Sequence, residues 1–253
     1  MGQQSSGGSR IAFFGGTFDP PHLGHLGVAR AARAALGLDT VLFAPVGTQP
    51  LKPQGTVAGF EDRLAMTRLA IAADPAFALS LADAPNPSGA PNYTLETLVA
   101  LHAQLPPGNT LFCLMGADSF AGFSRWHRAV EIPFVAPLIV ASRPGQPLDN
   151  LDSALPEGLS LEPAPPPDGV ESEVELLRCI LRNPAGDQAL FYLLPGLHIE
   201  ISASQIREQI REQIRAQTRI SSQSPPASAA RTPESSLLPA PVLDYIRAHN
   251  LYR

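Results

Sequence analysis

What this chain lacks narrows it before any motif is read. Among 253 residues there are two cysteines, Cys113 and Cys179. Neither belongs to a Cys-x-x-Cys pair, so a disulfide framework is excluded, and reduced thiols in a cytoplasmic setting are expected. Lysine occurs once, at Lys52, and no basic block interrupts a net charge of −5, which argues against a nucleic-acid partner. No apolar run reaches the ~20 residues of a membrane-spanning helix. Residues 1–9 read as a polar Gly/Ser tail rather than a targeting segment, and no membrane partner is expected.

Apolar runs instead alternate with helical patterns. Strand-like segments fall at 10–14, 40–46, 77–82, 110–115, 136–141 and 189–194, and helix candidates near 23–36, 59–73, 93–104 and 120–131. Gly37 is placed to cap the first helix. This alternation predicts an α/β fold: a doubly wound, Rossmann-like parallel sheet with helices on both faces and a small C-terminal helical portion. One domain over 10–253 is expected. Two stretches interrupt it, a Pro/Gly/acidic one at 144–172 and a low-complexity one at 218–236. Both are expected to be mobile surface loops without chemistry. The run from Ile206 to Arg215 repeats isoleucine every fourth residue, which predicts a helix with isoleucine stacked on one face.

The most informative run is Gly15-Gly16-Thr17-Phe18-Asp19-Pro20-Pro21-His22-Leu23-Gly24-His25. It joins the first strand to the first helix. Two glycines permit a sharp turn and a close approach of backbone N–H groups to a ligand. His22 and His25, three residues apart, share one face at the positive end of the helix dipole. Such a loop suits phosphate. Asp19 reads as a brace of the loop rather than a base. A metal site from Asp19, His22 and His25 lacks a further ligand at suitable spacing. No G-x-G-x-x-G follows the first strand, which removes the dehydrogenase reading. Gly116-Ala117-Asp118, after the strand at 110–115, lies at the same carboxyl edge of the sheet, so both turns point to one crevice.

The Gly15–His25 run resembles the signature of nucleotidyltransferases carrying the HxGH motif, and Ile201-Ser202-Ala203-Ser204-Gln205-Ile206-Arg207 resembles the second signature of that superfamily. Four further stretches are similar to one branch, the bacterial nicotinate-nucleotide adenylyltransferases. They are Ala90 to Leu98, Gly116-Ala117-Asp118-Ser119 with Trp126, Leu138 to Gly145, and the ending from Leu238 to Arg253. The likeness covers residues 10–145 and 188–253. It implies adenylyl transfer from ATP to nicotinate mononucleotide, with Mg²⁺ accompanying ATP and these small molecules as the partners. Nicotinamide mononucleotide or phosphopantetheine as acceptor, or a nucleotide sensor without turnover, are the alternatives. The resemblance is also compatible with a homo-oligomer.

By the same resemblance, His22, His25 and Arg207 would be catalytic. Gly15, Gly16, Thr17, Phe18, Gly24, Gly116, Asp118, Ser202 and Ser204 would bind ATP and its phosphates. Tyr93, Thr94, Trp126 and Lys52 would bind the mononucleotide, and no metal ligand is implied among the side chains. Two positions depart from the pattern. Gln49-Pro50-Leu51 lacks the histidine that the family places before its basic residue, and His127 stands where an aromatic residue is usual.

Overall fold

Strands covered on both faces need continuous apolar runs rather than alternation, and the predicted strands have them. The computed structural model describes residues 8–51, 55–142, 151–164, 176–195, 202–221 and 237–253. Lys52, Ile201, Arg143 to Gly145 and the rest of 144–150, 165–172 and 222–236 lie outside the described residues, as do residues 1–7 of the expected tail.

The described residues form one sheet from β1 (Arg10–Gly16), β2 (Thr40–Pro45), β3 (Phe77–Leu79), β4 (Thr110–Gly116), β5 (Leu138–Ala141), β6 (Ser160–Pro163), β7 (Leu177–Arg182) and β8 (Gln188–Leu194). The spatial order is β3-β2-β1-β4-β5-β8-β7-β6. The first six in that order run parallel; β7 and β6 then turn back antiparallel. The chain moves outward from β1 to β3 and returns on the other side as β4. That reversal opens a crevice beyond the carboxyl ends of β1 and β4.

Helices α1 (Leu23–Leu36), α2 (Phe60–Ile71), α7 (Ala203–Ser221) and α8 (Ala240–Ala248) contribute buried side chains to one face, with Ala12 and Phe14 of β1. Helix α3 (Thr94–Gln104) and the short α5 (Ile132–Val135) cover the other face, with Phe13. Successive β1 residues thus serve opposite cores, the period-two rule of a strand. In α1 the buried residues Leu26, Ala29, Ala32 and Leu36 mark the inner stripe. Gly37 ends the helix at φ 57°, ψ 44° with its N–H on the carbonyl of Arg33, as its position predicts.

Four expectations are corrected. The helix expected near 120–131 is a broken chain: α4 (Ala117–Phe120), two single 3₁₀ turns at Phe123–Arg125 and Ala129–Glu131, then α5. Arg128 sits at φ 51° and cannot continue an α-helix, while Pro133 suits the first turn of a new one. The strand expected over 77–82 stops at Leu79. The expected loop over 144–172 contains α6 (Leu151–Ala154) and β6 among its described residues. β6 has a weak local pattern and exists by pairing with β7, Leu161 opposite Leu181, a partner that the segment's own sequence does not announce. The helix of the isoleucine repeat, α7, runs to Ser221 and so occupies the start of the 218–236 stretch.

Candidate active site

The crevice between the ends of β1 and β4 is a cleft of about 730 Å³, a volume in the range of small-molecule sites. Every described residue of the expected set lines it: Gly15, Gly16, Thr17, Phe18, His22, Gly24, His25, Tyr93, Thr94, Gly116, Asp118, Trp126, Ser202, Ser204 and Arg207. Lys52 lies outside the described residues. The residues that begin α1, α3, α4 and α7 face the same space. The three longer helices α1, α3 and α7 direct their positive ends there, an arrangement for anions. That local field favours anions although the chain carries a net charge of −5.

The phosphate-type loop is held from outside. A Cβ at Gly15 would stand 2.8 Å from the Phe13 ring and one at Gly16 2.9 Å from the Phe18 ring, so a side chain at either position would displace a packed ring. Phe18 takes φ 49°, uncommon for a bulky residue, and its buried ring meets His25 edge-on at 4.9 Å. The Asp19 carboxylate, 4% exposed, accepts from the N–H groups of Val57 at 2.7 Å and Ala58 at 3.1 Å, and from the Tyr252 hydroxyl at 2.8 Å. It braces the loop, as the sequence suggests. Thr17 donates its hydroxyl to Gln49 at 2.9 Å.

His22 is the N-cap residue of α1, and its backbone N–H donates to His25 Nδ1 at 3.2 Å. With Nδ1 accepting, a neutral His25 carries its proton on Nε2, leaving that atom as a donor. The two imidazoles stack at 3.7 Å. Ser202 precedes α7, and its hydroxyl lies 2.9 Å from that of Ser204. Arg207, in the first turns of α7, donates through Nη1 to the carbonyl of Asp19 at 2.6 Å. The second signature is thereby latched to the first.

Sequence reasoning missed Arg63, Tyr252 as a contact of the loop, and Asp83. Arg63 is 1% exposed and donates to the carbonyls of Thr17 at 2.7 Å and Val46 at 2.8 Å. Burial pulls its guanidinium below the usual range, against the opposing charge of Asp19; an arginine still keeps its proton. The available signal was slight: Arg63 shares the inner face of α2 with Met66 and Ala70. Asp83, which unlike Arg63 and Tyr252 lines the cleft, accepts from the Thr97 hydroxyl at 2.9 Å. Burial raises its carboxyl above the ordinary 3.8, and the Thr97 bond opposes this. Cys113 beneath it is pushed up to about 12 by burial and then by Asp83, so it is an inert thiol rather than a nucleophile.

At the other end of the cleft, Asn92 ties the loop before α3 to the loop after β2: its amide donates to the carbonyl of Ala84 at 2.8 Å and its Oδ1 accepts from Thr48 N–H at 3.0 Å. This presents Tyr93 and Thr94 at the start of α3. His127 packs against Tyr93 with ring centres 4.3 Å apart, so an imidazole fills the place of the usual aromatic ring. Trp126 stands edge-on to the buried Phe123 at 5.6 Å, which fixes its plane. Leu51, 44% exposed, lines the cleft where the family histidine is absent. Among the described residues no cluster of three His, Cys, Asp or Glu side chains could hold a metal ion.

Comparison with known proteins agrees with this geometry. A family model described as cytidylyltransferase-like matches residues 13–209. A probable nicotinate-nucleotide adenylyltransferase of Dechloromonas aromatica is 37% identical, over 96% of this chain and 97% of its own length. One from Trichlorobacter lovleyi is 38% identical, over 79% of this chain and 86% of its own. Among solved structures, the nicotinic acid mononucleotide adenylyltransferase of Plasmodium falciparum complexed with NaAD shares the fold. Its TM-score is 0.62 at 14% identity, covering 96% of this chain and 97% of that one. With a crevice that gathers both signatures and relatives aligned along almost their whole length, the chain belongs to the nicotinate-nucleotide adenylyltransferases, within the cytidylyltransferase-like family.

Proposed function

We propose that the chain transfers the adenylyl group of ATP to nicotinate mononucleotide, giving nicotinate adenine dinucleotide and pyrophosphate, a step of NAD biosynthesis. A phosphate oxygen of the mononucleotide forms a bond to the α-phosphorus of ATP, and the bond from that phosphorus to the bridging oxygen breaks. The nucleophile is already an anion, so no side chain needs to activate it. Catalysis is positioning and charge stabilisation. ATP is the Mg²⁺ complex, whose cation offsets phosphate charge. Of the chain's own groups, the Nε2–H of His25, the ring of His22 and the remaining donors of Arg207 stabilise the phosphates, with the hydroxyls of Ser202 and Ser204 beside them. Gly15, Gly16, Thr17, Phe18 and Gly24 shape the phosphate path, and Gly116 and Asp118 take the adenosine ribose. Tyr93, Thr94 and Trp126 flank the pyridinium, and Lys52 is assigned to the same mononucleotide; a flat cationic ring suits stacking on indole.

The observation that carries this reading is the latch between Arg207 and the loop of His22 and His25, 2.6 Å at the carbonyl of Asp19. The experiment is pyrophosphate release from Mg²⁺-ATP with nicotinate mononucleotide or nicotinamide mononucleotide as acceptor. A strong preference for the acid is expected, and His25→Ala should lower kcat by about 10²–10³, the scale for a transition-state hydrogen-bond donor. Equal use of both acceptors would make the enzyme dual-specific. No turnover with either would sink the proposal.

A further inference from the structure

Tyr252 follows α8, outside every regular element, and yet is 4% exposed. The chain reaches that position through two left-handed residues, Asn250 at φ 55° and Tyr252 itself at φ 64°, with Leu251 N–H on the carbonyl of Ile246 at 3.1 Å. A bulky residue in that region is strained and persists only where its surroundings over-determine it. What Tyr252 gains is the 2.8 Å bond to Asp19 Oδ1, across 233 positions of sequence. The acceptor is the carboxylate that braces the phosphate loop. On the same residue, the carbonyl receives Arg207; one residue before it, Phe18 is itself left-handed; and the carbonyl of Thr17 receives Arg63.

We infer that Tyr252 is a positioning residue for adenylyl transfer. Its hydroxyl sets the Asp19 carboxylate, and Asp19 sets both the backbone of residues 17–19 and the guanidinium of Arg207. It acts on the chemistry through Asp19. This rests on the reading of the cleft as an adenylyltransferase site. A second tyrosine supplies the contrast: Tyr245 of α8 donates to Asp62 Oδ1 of α2 at 3.0 Å, a bond of the same kind that does not touch the loop.

The test compares the full chain with Tyr252→Phe, Tyr245→Phe, Asp19→Asn and the Asp19→Asn/Tyr252→Phe pair. The readouts are kcat and KM for nicotinate mononucleotide from pyrophosphate release, and the thermal midpoint. Tyr252→Phe should lower kcat about tenfold, a barrier change of about 1.4 kcal/mol, with KM for the mononucleotide within about twofold. Tyr245→Phe should leave kcat unchanged although it loses an equivalent bond. In the Asp19→Asn background, removing the Tyr252 hydroxyl should cost less than in wild type. A folded Tyr252→Phe with wild-type kcat, an equal fall in Tyr245→Phe, or full additivity with Asp19→Asn would overturn the inference. If Tyr252→Phe does not fold, Asp19→Asn alone decides: undiminished kcat overturns the inference and a fall supports it. Wild-type turnover with undiminished Tyr252→Phe removes this inference only. Absence of wild-type turnover removes it together with the proposed function.

Discussion

A buried arginine ties the loop to the strand end beside it through two backbone carbonyls. Arg63 satisfies Thr17 and Val46, and hydrogen bonds of charged donors contribute ~1.5–3 kcal/mol each. Arg63→Met keeps most of the volume but neither bond. It should lower unfolding stability by about 3 kcal/mol, visible as a lower urea midpoint at unchanged slope. Asp83 offers a pH test. Its folded-state carboxyl is raised above the ordinary 3.8 by burial, so the folded state binds the proton more tightly than the unfolded chain. Stability therefore falls as pH rises from the ordinary value through the raised one, and the penalty is complete above it. Asp83→Asn should raise the thermal midpoint at pH 7, with the gain closing as pH approaches 4; a gain independent of pH would count against this account. That the motif residues share one cleft was legible because a glycine turn running into a helix restricts its residue types within a few positions. Arg63 and Asp83 were not, because their partners are carbonyls and a hydroxyl supplied by other elements.

At the scale of elements, the ends of helices matter more than their middles. The cleft is built from helix N-termini, and α1 is closed at the far end by Gly37 in the left-handed region, where an added Cβ would meet nothing within 4 Å. Gly37→Ala thus isolates the backbone cost. A loss of about 1 kcal/mol is expected, measured by denaturation, with kcat unaffected. Long periodic segments such as α1 and α7 were readable from sequence, since 3.6-residue periodicity is a local property. The stretch from 117 to 135 was not. Its apolar residues pack as short turns around Phe120 and Phe123, and Arg128 adopts a left-handed conformation that its residue type does not suggest.

For the molecule as a whole, the antiparallel flank of β6 and β7 poses the question of how many units the chain comprises. Leu181 of β7 is fully buried in the same core as Leu138, Phe191 and Leu155. Leu181→Ala should therefore destabilise by about 3 kcal/mol through transfer and cavity terms. If 10–253 is one domain, Trp126 fluorescence and far-UV circular dichroism should report one shared transition; two separated transitions would show that the flank unfolds independently. The amino-acid sequence by itself determined the parallel α/β order, the position of the crevice and the two signatures that meet there. Those follow from hydrophobic runs, glycine turns and short-range spacing, which are written locally. Only the tertiary structure decided that β6 and β7 extend the sheet, that 117–135 is broken, and that Arg63, Arg207 and Tyr252 converge on residues 17–19. Each of these depends on pairing or burial between residues far apart in the chain, where the stabilising partner is a backbone group or a distant side chain that no local pattern encodes.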